Sequence, residues 1–517
     1  MKRTIQSRSR DAGFLVVMAA LVILDRVFLL DSFGFAYVGS DDPILWQGAV
    51  DYTRGIFHEP YFYGQNYNVM LEALFATPLV GSGMSPHQAL PLSTTVIGLL
   101  PYIVFATTLF RRGKAWGAFI FMLMPLLLPV EYGMLTMMPR GFVNGLFFTG
   151  ALIFPILDPR LVRSFVVLGL ASSVGFICNP NSLVFSFPVA VYVLLENRSR
   201  PSFYCITALS CVPALVFHLC AKGFYLDHRL FNVHSNFGLN YSMELLMGAF
   251  GRLDRFLGHL MPIAWSMGWL VLPTLLLIVV KLRRRAPHRA IALMSALILM
   301  IVILGVDKVN DDAGTLFLSS VRMFLGAPLL LALALFWWSE AFPLAGRQGK
   351  VVALYLAVCV FLVKVAVQNP IIAAHTSISR SAPVSVMKMN ELRSTCEQLA
   401  VLVATHDVDL LVFVPDGDLT VPRMGTLAYA CPLLEPGLPN TMLNVYERRT
   451  WVFVGEQERT RQNILIYGRT LAPEVLDRLA CLRVVQLNEH MVLVSTEGYS
   501  VKQVLTHLGV DLKRNTY

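Results

Sequence analysis

Charge is what this chain has least of. Lys, Arg, Asp and Glu make up only 15% of its 517 residues, against 56% hydrophobic residues and a mean hydropathy of +0.61. A soluble globular domain is closer to about a quarter charged, so that class is excluded. An internal repeat and a low-complexity tract are absent as well. Cysteine is sparse and makes no metal spacing in the apolar part, where Cys178, Cys205, Cys211, Cys220 and Cys359 lie in or beside hydrophobic runs. The other three, Cys396, Cys431 and Cys481, fall in the polar C-terminal region. An odd number there permits one disulfide and a free thiol, or three buried thiols.

What the chain does have is apolar runs of bilayer length. About eleven candidate spans lie near 14–30, 87–110, 115–131, 141–157, 161–178, 180–195, 203–220, 262–280, 290–306, 322–338 and 350–367. The turn at Asn179-Pro180 is short enough for its two spans to be one broken helix. The first run has a basic start, but it holds Asp25 and Arg26 near its outer end and lacks a clear small-x-small cleavage site, so it reads as a retained helix.

Basic residues alternate between loops. The N-terminus carries Lys2, Arg3, Arg8 and Arg10. The loops with Arg111, Arg112 and Lys114, with Arg160 and Arg163, with Arg198 and Arg200, with Lys281 to Arg289, and with Arg347 and Lys350 continue the pattern. The positive-inside rule makes these loops cytoplasmic. The formal charge of +9 is then mostly a topology signal and not a nucleic-acid surface. An odd number of spans puts the C-terminal region outside the cytoplasm of a multi-pass inner (plasma) membrane protein.

The texture changes after Gln368. A polar linker, "NPIIAAHTSISRSAP", precedes a stretch in which Val386, Met389, Leu392, Cys396, Leu399 and Val403 recur at three- and four-residue steps, one face of a helix. The runs "DLLVFV", "TWVFV", "NILIYG", "RVVQL" and "MVLVST" read as strands. Ser500 and Gln503 form a capping-box pattern opening a last helix that stops at Gly509. The expected fold class is a mainly α polytopic membrane protein, residues 1–368, with an extracytoplasmic α/β domain over 385–517. That domain shows no Gly-rich phosphate loop.

The first outer loop, residues 31–86, is acidic. In "GSDDPILWQGAVDYTRG", Ser40, Asp41 or Asp42 can cap a helix with Pro43 in its first turn. Leu45, Ala49 and Tyr52 share one face of it and Gln47, Asp51 and Arg54 another, which suits a helix lying at the membrane interface. A second such helix is expected over about 68–82, capped by Asn68. Two adjacent acids at a membrane exit, with Arg54 the only Lys or Arg in the loop, suggest a carboxylate kept for base chemistry.

These residues carry a resemblance. A hydrophobic first span, a loop opening on an acidic pair and the segment "YFYGQNYNVMLEA" resemble the GT-C membrane glycosyltransferases. The likeness is to the bacterial branch similar to protein mannosyltransferases and the lipid A aminoarabinose transferase, over roughly residues 10–340. It implies a polyprenyl-phosphate-linked sugar as donor, a lipid, glycan or protein acceptor, and transfer at the extracytoplasmic face. It also implies a first-loop Asp near the reacting centre. Asp41 matches the first acid of the family's pair and Asp42 the second, where Glu is more usual, so either can be the catalytic one. Tyr63 and Gln65, inside the shared "FYGQ", become candidate substrate contacts.

The leaving phosphate needs a cation or a divalent metal. Arg140, in "PVEYGMLTMMPRGFVNG", can hold phosphate through its planar fork or snorkel from the fourth span. Glu131 in the same loop is a second acid or a marker of the water boundary. Arg322 resembles the late-span Arg that lies near donor phosphate in this class, and it too can snorkel. Asp227, His228 and His234 are spaced too loosely to read as metal ligands, and Arg229 beside them is a further phosphate candidate. Rival readings are a transporter or flippase of lipid-linked saccharide, and a non-catalytic scaffold. The transporter reading lacks paired Gly/Pro-interrupted segments in matching halves.

Overall fold

A computed structural model describes residues 2–234, 240–311, 314–342, 347–379, 386–416, 419–468, 482–496 and 498–513, without the side chains of 2–8 and 347. The chain divides into two compact units. The membrane unit comprises Met1–Gly34, Pro91–Cys220 and Phe237–His375, and the α/β unit Phe35–Leu90, Ala221–Asn236 and Thr376–Tyr517.

Each expected apolar run falls on helix. Among the described residues, five helices are long and apolar enough to cross a bilayer: Ser9–Gly34, Pro86–Arg111, Pro201–Asp227, Ser320–Ala341 and Gln348–Ile378. Others, such as Val162–Cys178 and Pro287–Ile303, are apolar but shorter. A count of eleven spans is therefore not what helix length alone delivers.

The third run breaks. Helix Ala115–Leu127 turns by 90° into helix Val130–Met137. Pro129 explains the break, because it has no N–H to offer the Pro125 carbonyl four residues back. Arg26 donates to that carbonyl instead, at 3.2 Å. The Leu127 carbonyl accepts from the Ile263 N–H at 2.9 Å and from the Trp265 indole at 2.8 Å. Gly133 makes room for Arg26, since a Cβ there would lie 2.4 Å from Nη1. Beside it, Asp25 pairs with Lys364 at 2.8 Å, both side chains buried. Such charges are tolerated inside a span only when compensated.

The loops expected to be cytoplasmic carry ion pairs around three carboxylates. Arg112 and Arg163 contact Asp158 at 2.6 and 3.3 Å. Arg160 and His288 contact Glu196 at 3.1 and 2.8 Å. Lys114 and Arg289 contact Glu340, the latter at 2.9 Å.

In the α/β unit, β1 (Tyr37–Gly39) pairs antiparallel with β2 (Val386–Lys388), so the chain after the first span is stitched to the chain after the last. The main sheet comprises β3 (Leu410–Phe413), β4 (Asn440–Leu443), β5 (Asn463–Tyr467), β6 (Arg483–Asn488) and β7 (Met491–Ser495), in the order β4-β3-β5-β7-β6. β3 runs parallel to β4 and β5, and β7 antiparallel to β5 and β6. All four residues of β3 are buried, as expected of a parallel strand covered on both faces. Helix Met389–His406 buries Met389, Leu392, Cys396, Leu399 and Val403. A disulfide joins Cys396 to Cys431 across 35 residues, a closure worth about 3–4 kcal/mol on the chain-entropy account. Cys481 lies outside the described residues.

Three expectations need correction. "TWVFV" lies in helix Thr450–Gln457, where Thr450, Phe453 and Glu456 are buried at three-residue steps, so tertiary contacts override β propensity. The linker at 369–379 continues helix Arg347–Ser379 through Pro370. The second loop helix is Leu71–Gly81 with Met70 at its cap, while Asn68 holds a left-handed φ of 59°. Helix Asp42–Thr53 is largely covered by protein. Eight of its 12 residues are buried, and Leu45 and Ala49 pack into the core of the α/β unit. The capping box at Ser500 and Gln503 is present.

Candidate active site

The two acids of the first loop do different things. Asp41 stands at the cap position of helix Asp42–Thr53, yet its side chain caps nothing. Its Oδ1 instead meets Arg448 Nη1 at 2.8 Å, with both side chains nearly buried. Arg448 lies over the rings of Phe62 and Tyr446, 5.6 and 5.2 Å from their centroids. Asp42 turns inward and accepts the Gly39 N–H at 2.7 Å, which ties the strand to the helix start. Gly64 of "FYGQ" is required twice: its φ is +76°, and a Cβ would lie 2.9 Å from Arg448 Cβ.

Tyr63 is fully buried, and its hydroxyl donates to Asp51 Oδ2 at 3.2 Å. Gln47, one turn before Asp51, donates to Oδ1 at 2.8 Å, the i, i+4 pair expected from the sequence. Gln65 is buried and bridges His234 through its backbone. Glu59 accepts from the Gly64 N–H and the Tyr225 hydroxyl at 2.9 and 3.0 Å. His58 stacks on Trp451 with ring centroids 3.5 Å apart, 3.6 Å from Asp51. Burial pushes the Asp51 carboxyl up, against its bonds from Gln47 and Tyr63 and the charge of His58.

Burial also pushes the His58 imidazole below its ordinary 6.5, against the pull of Asp51. A His harder to protonate when folded contributes stability above its unfolded pKa, and that stability is lost as pH falls through the lower, folded value. The melting temperature of the full-length protein should therefore drop from about pH 7.5 to about 5.5. His58→Asn should flatten part of that drop, followed by Trp fluorescence. An unchanged slope in the variant would assign the dependence to other groups.

In the membrane unit, the bend at Pro129 puts Glu131 in the first turn of helix Val130–Met137 and not at the end of a span. Its Oε1 lies 3.5 Å from His375 Nε2 and 4.0 Å from His259 Nδ1. Arg140 and Arg322 do not snorkel: they are 9% and 6% exposed. Arg140 donates to the Phe317 carbonyl at 2.9 Å and Arg322 to the Asp311 carbonyl at 3.3 Å. Both guanidiniums lie over the same ring, 5.7 and 5.9 Å from the Phe142 centroid. Two cations 182 residues apart in sequence thus share one buried aromatic support, with the Asn181 amide fixing the turn by donating to the Phe142 and Arg322 carbonyls at 2.7 and 3.1 Å.

Among the described residues no three His, Cys, Asp or Glu side chains converge as metal ligands. His228 Nδ1 sits 3.0 Å from its own helix carbonyl at Phe224, and the Arg229 side chain is exposed. Sequence reasoning missed Arg448, Trp451 and Glu59. The signal for the first two was present in "YERRTW", where three consecutive charges stand in an otherwise apolar stretch. Glu447 and Arg449 there form a buried pair at 3.0 Å, which anchors the segment that carries Arg448 and Trp451.

No family model matches the chain, and no curated protein matches it. Two solved structures do: ArnT from Cupriavidus metallidurans bound to undecaprenyl phosphate, at 12% identity and a TM-score of 0.54, and the same protein in the apo state, at 13% and 0.55. Each match covers 94% of this chain and 98% of the other. The chain has the ArnT fold. The likeness covers the α/β region as well as the membrane part.

Proposed function

We propose that the chain is an integral-membrane glycosyltransferase that moves a sugar from a polyprenyl-phosphate donor to an acceptor hydroxyl at the extracytoplasmic face. The observation that carries the reading is the fold match over 94% of the chain to an ArnT that binds undecaprenyl phosphate. The acceptor oxygen attacks the anomeric carbon, its proton passes to Asp41, and the C1–O bond to phosphate breaks with polyprenyl phosphate leaving. A single displacement of this kind inverts the anomeric centre. Asp41 suits the base because its carboxylate makes no helix-cap hydrogen bond and lies beside Arg448. Asp42 is the local clasp. Arg140 and Arg322 stabilise the leaving phosphate, as planar guanidiniums do, while Tyr63, Gln65 and Glu131 serve substrate contact. A divalent metal would add to the same charge stabilisation.

The test is a transfer assay with the purified protein in vesicles and a panel of polyprenyl-phosphate sugars. Transfer of a sugar to an added acceptor extract is expected. Movement of lipid-linked saccharide across the bilayer without any transfer would replace this reading with the transporter.

A further inference from the structure

The ion-paired basic loops border an open cavity of about 820 Å³, lined by Tyr192, Glu196, Arg285, His288, Arg289 and Glu340 among others. Both of its acids are already paired. Glu196 is contacted by Arg160 and His288, and Glu340 by Lys114 and Arg289. Arg285 adds a further cation that has no carboxylate among the described residues. Its Nη1 donates to the Ala341 carbonyl at 2.6 Å, and its guanidinium lies 4.3 Å from the Phe342 centroid. The two acids of the lining are thus engaged by Arg289 and by Lys114 and Arg160 from beside it, which leaves the Arg285 guanidinium over. The first turn of helix Pro287–Ile303 opens on the same cavity with no side-chain cap, which adds to the positive potential.

We infer that this cavity binds a phosphate group, carried by a phospholipid headgroup of the adjoining leaflet. The surplus guanidinium supplies the paired N–H geometry that phosphate takes. A volume of several hundred Å³ accommodates a headgroup, and basic pockets between membrane helices are where anionic headgroups settle. The site is separate from the residues assigned to sugar transfer, so its test does not depend on that activity.

Full-length protein, stripped of lipid in detergent, is titrated with phosphatidylglycerol, phosphatidylcholine or inorganic phosphate. Bound lipid is read by native mass spectrometry and the melting shift recorded. One phosphatidylglycerol should bind, in preference to phosphatidylcholine. Arg285→Gln should weaken it about tenfold or more, the effect of losing one charge-assisted contact, and Arg285→Lys, which keeps the charge but not the planar fork, should restore only part of the binding. Arg285 is chosen because it holds no carboxylate, so its loss does not strand a buried acid. Binding that survives Arg285→Gln unchanged would overturn the site. Equal, Arg285-dependent binding of inorganic phosphate would keep the anion site and overturn the lipid as its source.

Discussion

Asp41→Asn should lower the rate of sugar transfer by about 10²–10⁴, the usual worth of a general base, with the protein still folded. Asn keeps the size and one acceptor oxygen for Arg448, so the contact at 2.8 Å weakens without disappearing. The lost charge costs stability of about 1–2 kcal/mol, which a melting curve registers apart from the rate. Asp42→Asn should transfer sugar at close to the parental rate, because its work is to accept the Gly39 N–H, and an amide oxygen does that too. The double variant Asp41→Asn with Arg448→Gln separates chemistry from an unpaired cation. If removing Arg448 as well restores the parental rate, Asp41 acts only to neutralise Arg448 and the base must be sought elsewhere.

The second large effect is on the donor phosphate. Arg140→Gln and Arg322→Gln should each lower kcat/KM about 10- to 100-fold, since a charge-assisted hydrogen bond is worth about 1.5–3 kcal/mol. Lys should rescue either position only partly, because an ammonium lacks the planar fork and stacks less well on Phe142. Because both guanidiniums lie over one ring, their effects should not be additive. The measurement is the transfer rate over a donor series, with undecaprenyl phosphate as competitor. Single variants that are inhibited by undecaprenyl phosphate as strongly as the parent, with unchanged kcat/KM, would leave both arginines as structural groups that brace the turn at Phe142 and Asn181.

Much of the fold was legible in local pattern. The runs of bilayer length fell on helix, because a segment in lipid must satisfy its backbone internally. The face Met389, Leu392, Cys396, Leu399 and Val403 is buried as its spacing implies, and the Ser500 capping box needs only four residues of sequence to be recognised. The Gln47–Asp51 pair is legible for the same reason, since i and i+4 meet on any helix. The break at Pro129 was missed as a direction: a proline announces a lost hydrogen bond but not which way the next helix turns. That depended on Arg26, Ile263 and Trp265 supplying the missing donors from elsewhere in the chain.

For the candidate site the division is sharper. The sequence singled out Asp41, Asp42 and Arg140 as charges in an apolar chain, where charge is costly, the acidic pair also by its family resemblance, and Arg322 through that resemblance. It left Asp41 and Asp42 equivalent, because both stand at the head of the same helix and either can cap it. Only the tertiary structure separated them, through Arg448, which lies 407 positions further on, and through the β1–β2 pairing that joins the first loop to the C-terminal region. Likewise Arg140 and Arg322 each looked like a residue that might as well snorkel, until one ring, Phe142, was found beneath both. Helical periodicity reaches four residues and a capping box three. An ion pair or a shared aromatic face between distant segments leaves no period in the sequence, so it becomes visible only when the chain is folded.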